Sequence, residues 1–179
     1  MIDFPLLKTF EVDSSFVNFL NKKFSDYIEE NSITPASGPI YLSETGGHTK
    51  NLVEWENEEY QTFLNTTLLD LISKQLNLNK SQVKIHYNHF FDYNEGGEVK
   101  IHNHSHSEDF VIFVYTKTCD SGHTVFYLNS KEEFRKRTVV RLKPTFGLCA
   151  CFSSSLFHFA EYTDESKRIF VIGVRINLE

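Results

Sequence analysis

Apolar positions along the chain recur at helical spacing up to about residue 76 and then, from Ser81 onward, at every second residue. Phe16, Leu20, Phe24 and Ile28 recur every four residues, with Val17 and Tyr27 beside them. That is one apolar helical stripe, and Asp13 or Ser14 is placed to cap it. The stripe predicts a helix that fades near Asn31, before Pro35, and is preceded by an extended segment over residues 4–12. A second amphipathic helix is predicted from about Glu56 to Leu76, with Tyr60, Phe63, Leu64, Leu68, Leu71 and Ile72 on its inner face. Residues 35–50 are rich in Gly, Ser, Thr and Pro and predict a loop. An ordinary surface loop is the simpler reading there, with a flexible lid over a substrate, containing Gly46 and Gly47, as the alternative.

In the second half Val83, Ile85 and Tyr87 alternate with Lys84, His86 and Asn88. Further strands are predicted at Glu98–His104, Asp109–Thr116, His123–Leu128, Thr138–Leu142, Leu148–Phe152, Leu156–Tyr162 and Arg168–Asn177. Turn-forming residues separate several of them, at Asn94–Gly97, Asp120–Gly122, Pro144–Gly147 and Asp164–Lys167. Helices first and many short strands after predict a mainly β fold, a jelly roll or barrel with the N-terminal helices packed on one sheet. No internal repeat interrupts the pattern. One domain over residues 1–179 is expected.

Composition sharpens this. Seventeen Phe and eight Tyr suit half-buried pleated surfaces. A net charge of −6 with no long basic stripe disfavours nucleic-acid binding through phosphates. The nearest approach to a basic run, Lys131 to Arg141, is interrupted by Glu132 and Glu133. The odd cysteine count (Cys119, Cys149, Cys151), with no Cys-x-x-Cys, argues against a disulfide framework or a zinc ribbon. The N-terminal residues lack the pattern of a signal peptide, and no apolar run reaches membrane-spanning length, so a cytoplasmic protein is expected.

The candidate chemistry lies in the histidines. In Ile101-His-Asn-His-Ser-His-Ser-Glu-Asp109, His102 and His104 stand two apart, which on a strand aims both imidazoles into one space. Neutral imidazoles suit iron, zinc, copper or nickel. Taken alone, such a pair is more often a solvated strand end. His158, in Phe157-His-Phe-Ala160, reads either as a third ligand on a distant strand or as a core histidine with one hydrogen bond. His106 and His123 read as exposed residues, with a supporting role near the pair as the alternative for His106. Arg168 opens the last strand: facing a barrel interior it would call for an anion, and facing outward it would answer Asp164 or Glu165. Cys149 and Cys151 share one strand face and read as buried free thiols.

In order and spacing these pieces resemble the iron(II)- and 2-oxoglutarate-dependent oxygenases, particularly their prolyl-hydroxylase-like branch. The resemblance runs over about residues 87–176, through Tyr93-Asn-Glu-Gly96, His102-Asn-His104, Gly122-His-Thr-Val-Phe126, Pro144-Thr-Phe-Gly147, Phe152-Ser-Ser, His158 and Arg168. It departs from the family at one point, where His-x-Asp becomes His-x-His, as in a group of phage and bacterial sequences of this kind. The resemblance implies a double-stranded β-helix, the cupin-like jelly roll. It implies Fe(II) held by His102, His104 and His158, with Glu108 or Asp109 as an alternative source of the missing carboxylate. It implies 2-oxoglutarate bound at its far carboxylate by Arg168, with Tyr93 or Tyr115 as hydroxyl partner. The implied reaction couples decarboxylation of 2-oxoglutarate to succinate with hydroxylation of a peptide side chain or a small molecule. Two other classes stay open: a different metal-dependent cupin-like dioxygenase or isomerase, and a non-catalytic jelly-roll binding module with its histidines on the rim.

Overall fold

The computed structural model describes residues 6–31, 46–128 and 138–177. A short strand β1 (Leu7–Glu11) leads into helix α1 (Ser14–Asn31). Asp13 caps α1, accepting from the Phe16 amide at 2.9 Å and the Ser15 hydroxyl at 2.5 Å. These bonds favour the charged carboxylate, and they hold its pKa below the ordinary value. Val17, Leu20, Phe24 and Tyr27 are buried on one side of α1.

The second helical region begins at Glu58, two residues later than predicted, because the Asn57 side chain accepts from the Tyr60 amide and ends the preceding extended stretch. It runs as α2 (Glu58–Phe63), one wide π-turn (Leu64–Leu68) and α3 (Leu69–Leu76). The π-turn was not predicted, and it has a cause in the pattern. Tyr60, Leu64, Leu68, Ile72 and Leu76 are all buried. A four-residue row drifts by about 40° per step around an ideal α-helix, and a wider turn returns it to the same side. Side chains serve the loosened carbonyls, with the Thr66 hydroxyl donating to Thr62 O at 2.7 Å and Asn65 Nδ2 to Gln61 O at 2.8 Å.

The remaining strands are β2 (Gly46–His48), β3 (Val83–Tyr93), β4 (Val99–His102), β5 (Phe110–Lys117), β6 (Thr124–Tyr127), β7 (Val139–Leu142), β8 (Leu148–Ser153), β9 (His158–Ala160) and β10 (Lys167–Ile176). They form two antiparallel sheets, ordered β1-β8-β5-β10-β3-β2 and β4-β9-β6-β7. Of the expected 35–50 loop, Gly46–His48 is instead an edge strand paired with Tyr93, Asp92 and Phe91. Its first part, residues 35–45, lies outside the described residues, as does most of the stretch from Lys131 to Arg141.

Alternation along the central strands, shifted once on β3 by an irregularity opposite Gly173 and Val174, divides the apolar residues into two cores. Val83, Phe90, Ile112, Val114, Cys149, Cys151, Phe170, Ile172 and Val174 face the helices. Phe91, Tyr93, Val111, Phe113, Tyr115, Ala150, Phe152, Ile169 and Val171 face the smaller sheet. The first core is an ordinary helix-on-sheet layer. The second is an aromatic-lined interior between the sheets, and the chemistry-bearing side chains collect around it. All three cysteines are buried and free. Among the described residues no helix is long and apolar enough to cross a membrane.

Candidate metal centre

His102 ends β4 and His158 opens β9, and the two are register partners. His104 lies past the end of β4, which stops two residues short of the prediction. Its amide donates to Ser154 O at 2.8 Å, so the chain after β4 stays beside the segment between β8 and β9. One ring nitrogen from each of these histidines can be chosen so that all three lie within 4.8 Å of one another. Ring centroids are 4.2 Å apart for His102 and His158, 5.0 Å for His102 and His104, and 5.3 Å for His104 and His158.

The second nitrogens are already occupied. His102 Nδ1 lies 2.9 Å from Lys100 O and His158 Nδ1 lies 3.0 Å from Leu156 O. A carbonyl can only accept, so both Nδ1 atoms carry the proton and both Nε2 atoms keep a lone pair. His104 Nδ1 lies 3.4 Å from the Tyr87 hydroxyl and 3.7 Å from Glu108 Oε2; the hydroxyl can donate or accept, but the carboxylate only accepts, which favours a proton on Nδ1 and a lone pair on Nε2. Burial is the main cause that lowers all three pKa values, to about 3 for His158 and about 4 for His104. All three rings are therefore neutral near pH 7 in the metal-free protein. Three neutral imidazoles, each oriented by an acceptor behind it, fit a borderline divalent cation.

His158 packs on Phe152 and Phe126, at 4.8 and 5.7 Å between centroids. Farther along β6 from Phe126, Thr124 Oγ1 accepts from the Tyr115 hydroxyl at 2.6 Å. Beyond it, the Gly122 carbonyl accepts from Lys167 Nζ. Lys167 is 1% exposed, and its ammonium lies over the Tyr93 ring, 4.3 Å from the centroid. Burial depresses its pKa to about 8. A cation in an aromatic enclosure, held by one carbonyl, is what an incoming carboxylate would meet.

Arg168 needs correcting. Its guanidinium does not face the interior. It points to the helix layer, where Nε donates to Asp92 Oδ1 at 2.8 Å and the group lies 3.5 Å from the Phe24 ring centre. The reason is strand parity. Arg168 shares a face with Phe170, Ile172 and Val174, all in the helix-side core, whereas Lys167 shares one with Ile169 and Val171. Nor does Arg168 answer Asp164 or Glu165. Sequence reasoning missed Lys167, and Asp92 was the available signal. Once Tyr93 is taken as inward, Asp92 must be buried on the opposite face and needs a cation there.

Tyr93 and Tyr115 are both in the interior. Of the two acidic candidates, Asp109 turns to the sheet, its Oδ2 accepting from the Ile176 amide at 2.7 Å. Glu108 is buried behind His104 and is not in the ligand group. His106 is exposed. His123 Nδ1 lies 3.5 Å from Glu161 Oε2, away from the three histidines. Two histidines that sequence reasoning passed over flank the centre. His89 stacks on Tyr87 at 5.3 Å and lies 5.5 Å from His48, between ring centroids. Burial lowers the His89 pKa to about 3, and His48 and His104 add to the effect. The alternation Tyr87, His89, Phe91, Tyr93 on the inner face of β3 was the signal for it.

The sequence matches no known protein-family profile and no curated sequence. The fold is similar to solved structures of iron(II)/2-oxoglutarate oxygenases. It superposes on a prolyl-4-hydroxylase from Pseudomonas putida with a TM-score of 0.71 and 13% identity, over 98% of this chain and 95% of that one. A prolyl hydroxylase from Trichoplax adhaerens, solved with a peptide of hypoxia-inducible factor, gives 0.71 at 12% identity, over 97% and 85%. The epimerase SnoN, solved with Fe3+, alpha-ketoglutarate and nogalamycin RO, gives 0.70 at 9% identity, over 96% and 79%. At these identities the likeness is one of fold.

Proposed function

We propose that this protein is an iron(II)- and 2-oxoglutarate-dependent oxygenase that hydroxylates a peptide side chain or a small molecule. The observation that carries the reading is one interior with two ends. Three free imidazole lone pairs converge at one end, and a buried lysine stands along the same aromatic enclosure. The strand order supports a double-stranded β-helix, because β3 to β10 pass between the two sheets as that fold requires. The solved neighbours include enzymes acting on both peptides and small molecules, so both substrate classes stay in the proposal.

His102, His104 and His158 would hold the metal through Nε2. Lys167, in place of Arg168, would pair with the far carboxylate of 2-oxoglutarate. The Tyr115 hydroxyl, already spent on Thr124, would fix the wall beside it rather than make the main contact. Phe113, Phe126 and Phe152 keep water from the space between. Iron(II) with 2-oxoglutarate supplies a two-electron oxidant, the co-substrate being converted to succinate and carbon dioxide as oxygen is consumed. The protein's own share is ligation, orientation and exclusion of water.

A three-histidine dioxygenase without 2-oxoglutarate is the second reading, favoured by the absence of a carboxylate in the ligand group. Lys167 argues against it, since that chemistry gives no reason to bury a lysine in the barrel. The test is anaerobic reconstitution with Fe(II), followed by oxygen and 2-oxoglutarate. One equivalent of bound metal and succinate release are expected from the parent, and neither from His158→Ala. Succinate release by His158→Ala at the parental rate would refute the ligand assignment.

A further inference from the structure

We infer that Glu108 is a positioning residue for the metal: a buried carboxylate behind His104 that supplies, through that ring, the negative charge the third imidazole leaves out. The inference rests on the oxygenase reading of the three-histidine centre.

Four features of the chain build a slot for this carboxylate. Its side chain is only 3% exposed, with Oε2 3.7 Å from His104 Nδ1. The Ser107 hydroxyl donates to the same oxygen at 2.6 Å. Both neighbours of Glu108 are tied to β10: Ser107 O accepts from Arg175 Nε at 2.8 Å, and the Asp109 amide donates to Val174 O at 2.9 Å. Finally, Gly173 leaves the space. A methyl group there would sit 2.2 Å from Tyr87 Cε1 and 2.7 Å from Glu108 Cγ.

The electrostatics give the slot a purpose. A carboxylate removed from water costs several kcal/mol unless a cation or enough donors answer it. Among the described residues no lysine or arginine makes an ion pair with Glu108, and its single ion-pair contact is the His104 ring. A divalent ion on the far nitrogen of that ring is the missing positive charge. In return, the carboxylate behind Nδ1 orients the ring and makes Nε2 a stronger donor. The Tyr87 hydroxyl, 3.4 Å from the same Nδ1, completes the arrangement.

The experiment is a cobalt(II) titration of the purified protein against a competing chelator, with melting of the metal-free form measured in parallel. Glu108→Gln should bind cobalt about 10 to 100-fold more weakly than the parent. The visible bands of its bound cobalt should shift, while its metal-free melting temperature should not fall. Glu108→Asp, which keeps the charge but draws it back, should lie between the two. Parental affinity and spectrum in Glu108→Gln overturn the inference and leave the three-histidine centre standing. So does a loss confined to the melting temperature. If the Gln variant fails to fold, parental affinity in Glu108→Asp overturns it instead. Failure of the parent itself to bind one cobalt overturns the centre, and with it the role of Glu108.

Discussion

Replacing Lys167 with methionine should weaken 2-oxoglutarate binding by about 30-fold or more and, at neutral pH, make the metal-free protein more stable. Both effects follow from one cause. The ammonium is 1% exposed, and burial takes its pKa from 10.5 to about 8. At about 1.4 kcal/mol per unit, that is roughly 3 kcal/mol against folding wherever the folded protein carries the charge. Methionine fills similar volume without the charge. It leaves the Gly122 carbonyl without this donor, at a cost of about 1–3 kcal/mol, so the net gain is at most roughly 2 kcal/mol. The sign with pH is definite. Between about pH 8 and 10.5 the unfolded chain binds a proton that the folded one does not, so the parent gains stability as pH rises through that window. The methionine variant lacks this gain.

Binding runs the other way. Loss of one member of a buried charge pair costs about 2–5 kcal/mol, or roughly 30-fold to several thousand-fold in affinity. In the parent, 2-oxoglutarate should bind best below pH 8 and weaken up to about tenfold per pH unit above it, as the amine gives up its proton. Calorimetric titration of 2-oxoglutarate into the cobalt-loaded protein at pH 7, 8, 9 and 10 reads this directly. An affinity flat over that range, or a Lys167→Met variant within threefold of the parent at pH 7, would refute the assignment of Lys167.

Two further substitutions separate the faces of the same strand. Arg168→Ala should leave the 2-oxoglutarate affinity within threefold of the parent but lower stability by about 2–3 kcal/mol, since it strips Asp92 and Phe24 of their partner at a site only partly screened by solvent. In a thermal melt that is a fall of roughly 5–10 °C, and a large loss of 2-oxoglutarate affinity would restore Arg168 to the pocket. Gly173→Ala should cost about 1–3 kcal/mol by forcing Tyr87 and Glu108 apart. Its cobalt affinity should fall as well, and parental values of both in a melt and a titration would show that the slot is not tight.

How far these features can be read from sequence depends on what sets the phase of each element. Helix α1 is legible because only one of its faces is apolar. So is β3 from Tyr87 onward, where Tyr87, His89, Phe91 and Tyr93 alternate with polar or helix-facing residues; at its start an irregularity opposite Gly173 and Val174 turns Val83 and Ile85 to the helix side, which the period of two does not show. On β10 the signal fails, since Ile169, Phe170, Val171 and Ile172 are buried on both faces. A strand apolar on both sides carries no mark of which basic residue at its start turns inward, and a shift of one residue exchanges Arg168 for Lys167. The convergence of His102, His104 and His158 depends on long-range pairing of β4 with β9, which local pattern does not encode. The π-turn stood in the sequence as a row of strict four-residue spacing, but a row of that kind is compatible with a straight helix until the opposing sheet is in place.

The charges of the interior explain why an aromatic enclosure can hold this chemistry at all. On the proposed reading a divalent metal and the Lys167 ammonium bring three positive charges into a space otherwise lined by Phe and Tyr. The two carboxylates of 2-oxoglutarate bring two negative charges, and Glu108 brings the third. A low-dielectric interior tolerates ions only when they balance locally. A site with a carboxylate directly on the metal would carry that third negative charge as a ligand. On the proposed reading His104 would take the ligand position, with the carboxylate one ring farther out, in a slot kept open by Gly173. A metal held there would meet three neutral nitrogens, while the neutrality of the assembly would be kept by a group that does not touch it.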